Sequence, residues 1–195
     1  ATVTLKNVTV SSSSLDPDEG LIDISKGLDV NIIIPEGTAT TLTDTSELAS
    51  SDADEPNGIC AGKNGTLSIS GGGTLNITST NGNGIKVKNI LSIEDTTINI
   101  GSSSEYVQGK GIAAKNEINL VNARLTIYSV NDGIKTTYDE DDVTFDASKY
   151  TYDASTAANT SIKINGGSIT IRTKDGDGIS ASYKLFEDTI YEVGF

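Results

Sequence analysis

Histidine, methionine and tryptophan are absent from the 195 residues, and there are only one cysteine and three prolines. Without histidine there is no imidazole base and no His-ligated zinc. The single thiol, Cys60, cannot close an intrachain disulfide, and as a nucleophile it would lack an imidazole partner. It falls in an outward-facing column and reads as a plain surface thiol. Without methionine the chain does not open on a translational start, so it is expected to be a processed form or a piece of a longer protein. Basic residues are few: 14 Lys and Arg stand against 27 Asp and Glu, a formal net charge of −13. A nucleic-acid binder needs a basic face, so that class is excluded. An anionic membrane surface is excluded on the same ground. No apolar run approaches the length of a membrane-spanning helix, and no membrane insertion is expected.

What the chain does have is a repeat. In Gly111 to Ile127, Ile112 pairs with Ala114, Ile118 with Leu120 and Leu125 with Ile127. Each pair straddles one outward residue, which is the period of a strand with one buried face. The unit recurs. Gly58-Ile59 leads to Leu67/Ile69 and Leu75/Ile77, Gly84-Ile85 to Leu91/Ile93 and Ile98/Ile100, and Gly133-Ile134 to Ile162/Ile164 and Ile169/Ile171. Gly178-Ile179 opens one more. The starts are 26, 27, 22 and 45 residues apart, the last being one 22-residue unit plus a 23-residue insertion.

Three short strands per repeat, none able to bury its face alone, are the mark of a solenoid. Stacked rungs bury continuous columns of Ile, Leu and Val. The expected fold is therefore all-β, a right-handed parallel β-helix forming one domain over residues 1–195. A β-sandwich of irregular hairpins is the competing fold, but hairpins have no reason to keep three pairs in register over four copies. Abundant glycine, 20 residues, suits tight rung corners. Val3, Leu5, Val8 and Val10 suggest an opening strand. Ile22, Ile24, Leu28, Val30, Ile32 and Ile34 suggest an early rung. Thr38 to Asn57 reads as a long connection, and about 138–160 as an insertion. The C-terminal stretch from Tyr183 continues the last rung as a weaker strand pattern. Neither end shows a cap, and open rung ends are unpaired strand edges, so end-to-end self-association into a filament is an expected possibility of this architecture.

The residues before the repeated glycines are Asn57, Asn83, Lys110, Asp132 and Asp177, and those two positions earlier are Glu55, Asn81, Gln108, Val130 and Asp175. In a solenoid each set stacks into a column. Carboxylates one rung apart repel unless a cation lies between them. Oxygen clusters mixing carboxylates and amides suit calcium. Two groups are expected. One uses Asp52, Asp54, Glu55, Asn57 and Asn83, with Asp16, Asp18 and Glu19 of an early corner brought towards it. The other uses Asp132, Asp175 and Asp177 with Asp139, Asp141 and Asp142 from the insertion. Lys110 interrupts the column, its ammonium acting as a tethered counter-ion. Asn64, Asn89, Asn116 and Asn159 precede their second strands and form an approximate amide ladder, a structural feature.

The segments GNGIKVKN, GKGIAAKN, NDGIKTTYDEDD and GDGISA, with the loop TLTDTSELASSDADEPNGI, resemble the bacterial carbohydrate-binding domain-containing β-helix proteins. The resemblance runs from about Val3 to Ala181. It implies a pectate-lyase-like solenoid, calcium-bearing and exported, that binds cellulose and acidic polysaccharide. It also implies that Asp52, Asp54, Glu55, Asn57, Asp132, Asp139, Asp141, Asp142 and Asp177 ligate calcium. Lys110 stands where that pattern would place Asp or Asn. An acidic chain rich in Asn, Thr, Ser and Gly likewise suits an extracellular or cell-surface bacterial protein.

Three functions follow. A non-catalytic polysaccharide-binding module would use calcium to bridge protein carboxylates to uronates, or Tyr138, Tyr150 and Tyr152 as a platform for a neutral glycan. A polysaccharide lyase would need a lysine base, with Lys135 best placed and Lys86 one column-mate away. Surrounding carboxylates favour the protonated amine, which opposes that role. A calcium-stiffened surface filament is the third. The first is the expected function, and no enzyme activity is expected.

Overall fold

The computed structural model describes residues 1–16, 19–47, 56–139, 161–185 and 189–194. It is a parallel β-helix of six rungs. Rung one contains β1 (Thr2–Thr4), β2 (Thr9–Ser12) and β3 (Gly20–Ile24), and rung two β4 (Val30–Ile33), β5 (Ala39–Asp44) and β6 (Asn57–Ala61). Rung three contains β7 (Thr66–Ser70), β8 (Thr74–Ser79) and β9 (Ile85–Val87), and rung four β10 (Ile90–Glu94), β11 (Thr97–Ile100) and β12 (Ile112–Ala114). Rung five contains β13 (Glu117–Val121), β14 (Arg124–Ser129) and β15 (Ile134–Asp139), and rung six β16 (Ser161–Asn165), β17 (Ser168–Thr173) and β18 (Ile179–Leu185). A last strand, β19 (Thr189–Gly194), follows. The first strands of the rungs form one parallel sheet, the second strands another and the third strands a third. Among the described residues no helix is long and apolar enough to cross a membrane.

Register explains why the repeat folds this way. Leu42, Ile77, Ile100, Ile127 and Ile171 align across the second sheet. Ile59, Ile85, Ile112, Ile134 and Ile179 align across the third. Ile59, Ile85, Ile100, Ile112, Ile127 and Ile134 are each fully buried. Burial of one such side chain contributes about 1.5–3 kcal/mol. End rungs gain less, because one side of each lacks a neighbour: Leu120 is 1% exposed, but Ile164, its partner in the last rung, is 47% exposed. Val3 is similarly exposed in the first rung.

Four details depart from the sequence reading. The long connection from Thr38 contains β5, whose inward positions are Thr40, Leu42 and Asp44. Two polar residues hide the alternation, and the fold tolerates them because they are bonded. Thr40 Oγ1 donates to the Leu5 carbonyl, while Asp44 accepts from the Ser46 N–H (2.9 Å) and the Ser79 hydroxyl (3.0 Å).

Secondly, Cys60 is 4% exposed and is not a surface thiol. It does occupy the outward column, between Asp23 and Lys86 in register. A small side chain between two longer ones is readily shielded, so its facing does not set its exposure. Thirdly, Tyr138 and Asp139 belong to β15 rather than to an insertion; residues 140–160 lie outside the described set.

Fourthly, the C-terminal stretch does not simply continue the last rung. β18 runs on to Leu185, and β19 returns antiparallel to it, pairing Tyr183 with Tyr191. The third sheet therefore ends in an antiparallel strand at that side of the stack.

Candidate functional site at the corner between the second and third sheets

The glycines that open each third strand are dictated by packing. A Cβ on Gly111 would lie 2.3 Å from Ile127 Cγ2 and 2.6 Å from the Gly133 carbonyl oxygen. Gly58, Gly84 and Gly133 meet the equivalent isoleucine and carbonyl at 2.3–2.7 Å. Only glycine lets the corner pass this close to the core and to the next rung. Gly178, in the last rung, has nothing within 4 Å of a built Cβ. The backbone continues the ladder through the corner: Gly84 N–H donates to the Lys110 carbonyl and Gly111 N–H to the Asp132 carbonyl, both at 3.0 Å.

This corner holds the residue before each glycine in a stacked column. The Asn57 Oδ1 accepts from Asn83 Nδ2 (2.8 Å) and from the Asn83 N–H (3.3 Å). The Asn83 Oδ1 accepts from the Lys110 N–H at 2.8 Å. The Asp132 Oδ1 accepts from the Asp177 N–H at 3.0 Å. Each side-chain oxygen thus holds a backbone N–H of the next rung, which would otherwise be an unmet donor at a bend. Asn57 also reaches back, Nδ2 to the Glu19 carbonyl at 3.3 Å, so the early corner does approach it.

The expected ligands divide as follows. Asn57 and Asn83 are brought together, directly bonded. Asp132, 8% exposed, meets the backbone of Asp177, and its Oδ2 lies 3.2 Å from the Lys135 ammonium. Asp175 and Asp177 are exposed one rung on. Asp139 ends β15 in register with Lys184. Asp52, Asp54, Glu55, Asp141 and Asp142 lie outside the described residues. Among the described residues no three Asp, Glu, His or Cys side chains converge as a metal site does. The donors are hard oxygens, the type calcium takes, but the amide oxygens of Asn57 and Asn83 and one oxygen of Asp132 already serve the ladder. Lys110 is part of that ladder through its backbone, while its side chain cannot extend it.

Lys135, the candidate base, is committed as an ammonium to Asp132. A proton-abstracting amine needs its lone pair free. The asparagine ladder at the other corner exists in part. Asn116 Nδ2 donates to Asn89 Oδ1 (2.7 Å), and Asn89 Nδ2 to the Gly65 carbonyl (2.9 Å). Asn64 instead adopts a left-handed turn, φ 64°, and Asn159 lies outside the described residues.

A model for carbohydrate-binding domain-containing proteins matches residues 1–189. The chain belongs to that family. The match spans all six rungs and ends at the first residue of β19. No curated protein and no solved structure matches the chain.

Sequence reasoning missed a second cluster. Tyr106 and Tyr128 meet edge to face, ring centres 5.4 Å apart, and the Lys174 ammonium sits 4.7 Å above the Tyr106 ring. The chain after β11 turns at Ser102–Glu105, Val107 enters the core, and the Val107 N–H bonds the Tyr128 carbonyl at 3.1 Å. Tyr106 is left on the outer side. Its only sequence signal is a tyrosine beside a lone buried valine, which no repeat position marks.

Proposed function

We propose that this protein is an exported, non-catalytic polysaccharide-binding β-helix that recognises plant cell-wall glycans, with polygalacturonate and cellulose the leading candidates. The family match over residues 1–189 carries this reading. The pairing of Lys135 with Asp132 supports a binding role over a lyase role, because it commits the best-placed base. Calcium belongs to the same proposal. Asp132, Asp175 and Asp177, with Asp139, Asp141 and Asp142, are the proposed ligands of one calcium group, and Asp175 and Asp177 are exposed on the last rung. Asp52, Asp54, Glu55, Asn57 and Asn83 are the proposed ligands of the other. A calcium ion held there would neutralise stacked acids and accept uronate oxygens.

The test is incubation with polygalacturonate and calcium, following pelleted complex and the ultraviolet absorbance of unsaturated product together. Binding without product, weakened by chelator, is the expected result. Product would make the protein a lyase and Lys135 the residue to mutate. Neither binding nor product, with cellulose also unbound, would sink the reading and favour a structural filament.

A further inference from the structure

The outer face of the second sheet is unlike the rest of this acidic chain. From β2 to β17 its outward positions hold Thr, Ser, Asn and one Ala, then Arg124, Tyr128 and Arg172, with no Asp or Glu. The outer face of the first sheet, by contrast, carries Glu94 and Glu117. Arg124 and Arg172 are the chain's only arginines, and both are exposed.

Their placement follows from register. Arg124, Thr126 and Tyr128 share one face of β14, and Arg172 of β17 pairs with Tyr128. The two guanidinium groups therefore rise from positions about 13 Å apart along the strands and one rung, about 4.8 Å, apart across them. Tyr128 stands at the Arg172 end. Tyr106 braces it edge to face, and Lys174 adds a third cation at the rim.

Among the described residues neither arginine forms an ion pair, whereas Lys135 is paired with Asp132 and Lys163 with Glu117. Glu105 and Asp175 stand at the rim, next in sequence to Tyr106 and Lys174, and not on the sheet face. An arginine pair without an ion-pair partner among the described residues, on an acid-free strip in a chain at −13, is complementary to an anion. Guanidinium forks match carboxylates in geometry. A braced tyrosine offers an apolar ring to the face of a sugar.

We propose that this strip is a binding surface for a carboxylated glycan chain, acting without a metal ion. Arg124 and Arg172 each take a uronate carboxylate from the same chain, and Tyr128 stacks against a sugar ring beside Arg172. This rests on the polysaccharide-binding reading, but places direct ionic recognition on a different face from the calcium-bridged corner.

The experiment measures affinity for polygalacturonate and for its methyl ester, at low and moderate salt, in EDTA and in calcium. In EDTA the unaltered protein binds polygalacturonate, and the Arg124→Gln/Arg172→Gln variant loses at least tenfold in affinity. Tyr128→Ala weakens binding to both the acid and the ester, whereas the arginine variant loses only the acid. Lys163→Gln, a cation on the first sheet, changes affinity less than twofold. Moderate salt weakens the interaction, because exposed charges are screened.

Equal binding by the double-arginine variant would overturn the proposal, as would binding seen only with calcium; the calcium-bridged module would then still stand. No binding to any glycan under either condition would overturn both.

Discussion

The corner between the second and third sheets and the outer face of the second sheet present opposite faces of one repeat. At the corner polar residues line up by rung, and their oxygens are spent on the chain itself: Asn57 on Asn83, Asn83 on Lys110, Asp132 on Asp177. On the outer face the columns hold Thr, Ser, Asn and one Ala until the last two strands, where Arg124 and Arg172 have no ion pair among the described residues. Periodic polar residues at a bend are what a solenoid needs to satisfy its backbone. An unpaired charge that breaks the period answers no such need. In a repeat protein, departure from the pattern is the better pointer to function.

The strongest test of the corner's structural role is steric. Gly111→Val places methyl groups where even a Cβ would be 2.3 Å from Ile127. Overpacking of this kind costs about 3 kcal/mol, read as a lower urea midpoint at unchanged slope. Gly178→Ala, with nothing within 4 Å, should cost less than about 1 kcal/mol. Equal losses at both positions would break the account of a glycine column set by rung-to-rung contact.

Next in size is Asp132. Asp132→Ala removes the acceptor of the Asp177 N–H and the partner of Lys135, and should cost about 2 kcal/mol. Asp132→Asn can keep the N–H bond and should recover about half of that. If both variants melt together, charge alone matters at this position and the ladder reading fails.

The smallest effect concerns the first sheet. Glu117 is held below the usual carboxylate range, first by the hydrogen bond from Lys163 and then by that from Asn119. A carboxyl whose folded value is depressed stabilises the fold above its unfolded value, about 4.3, and loses that contribution as pH falls through the folded value. The groups are partly open to solvent, so the effect at pH 7 is about 0.5 kcal/mol. Glu117→Gln should remove that increment at pH 7 and leave stability at pH 3 nearly unchanged, in paired denaturation curves. A loss of equal size at both pH values would assign the effect to packing.

Much of the fold was legible. The Gly-Ile starts and the three apolar pairs per unit placed the strands of rungs three to six. β5 escaped because Thr40 and Asp44 are inward yet polar, and only the bonds to Leu5, Ser46 and Ser79 make that tolerable. β19 escaped because strand direction depends on where the chain can turn back, not on residue type. At the site, the column Asn57, Asn83, Asp132, Asp177 was visible, but alignment alone does not say whether an oxygen faces a metal or a backbone N–H.

By itself the sequence determined the architecture: alternating apolar residues at a fixed repeat bury their faces only by stacking, and the glycines mark where rungs touch. Tertiary structure decided the rest. Cys60 is buried although its position faces outward, Lys135 is tied to Asp132, and Tyr106 is brought from a loop onto Tyr128. These depend on neighbours distant in the chain, whose distances and shielding no local period encodes.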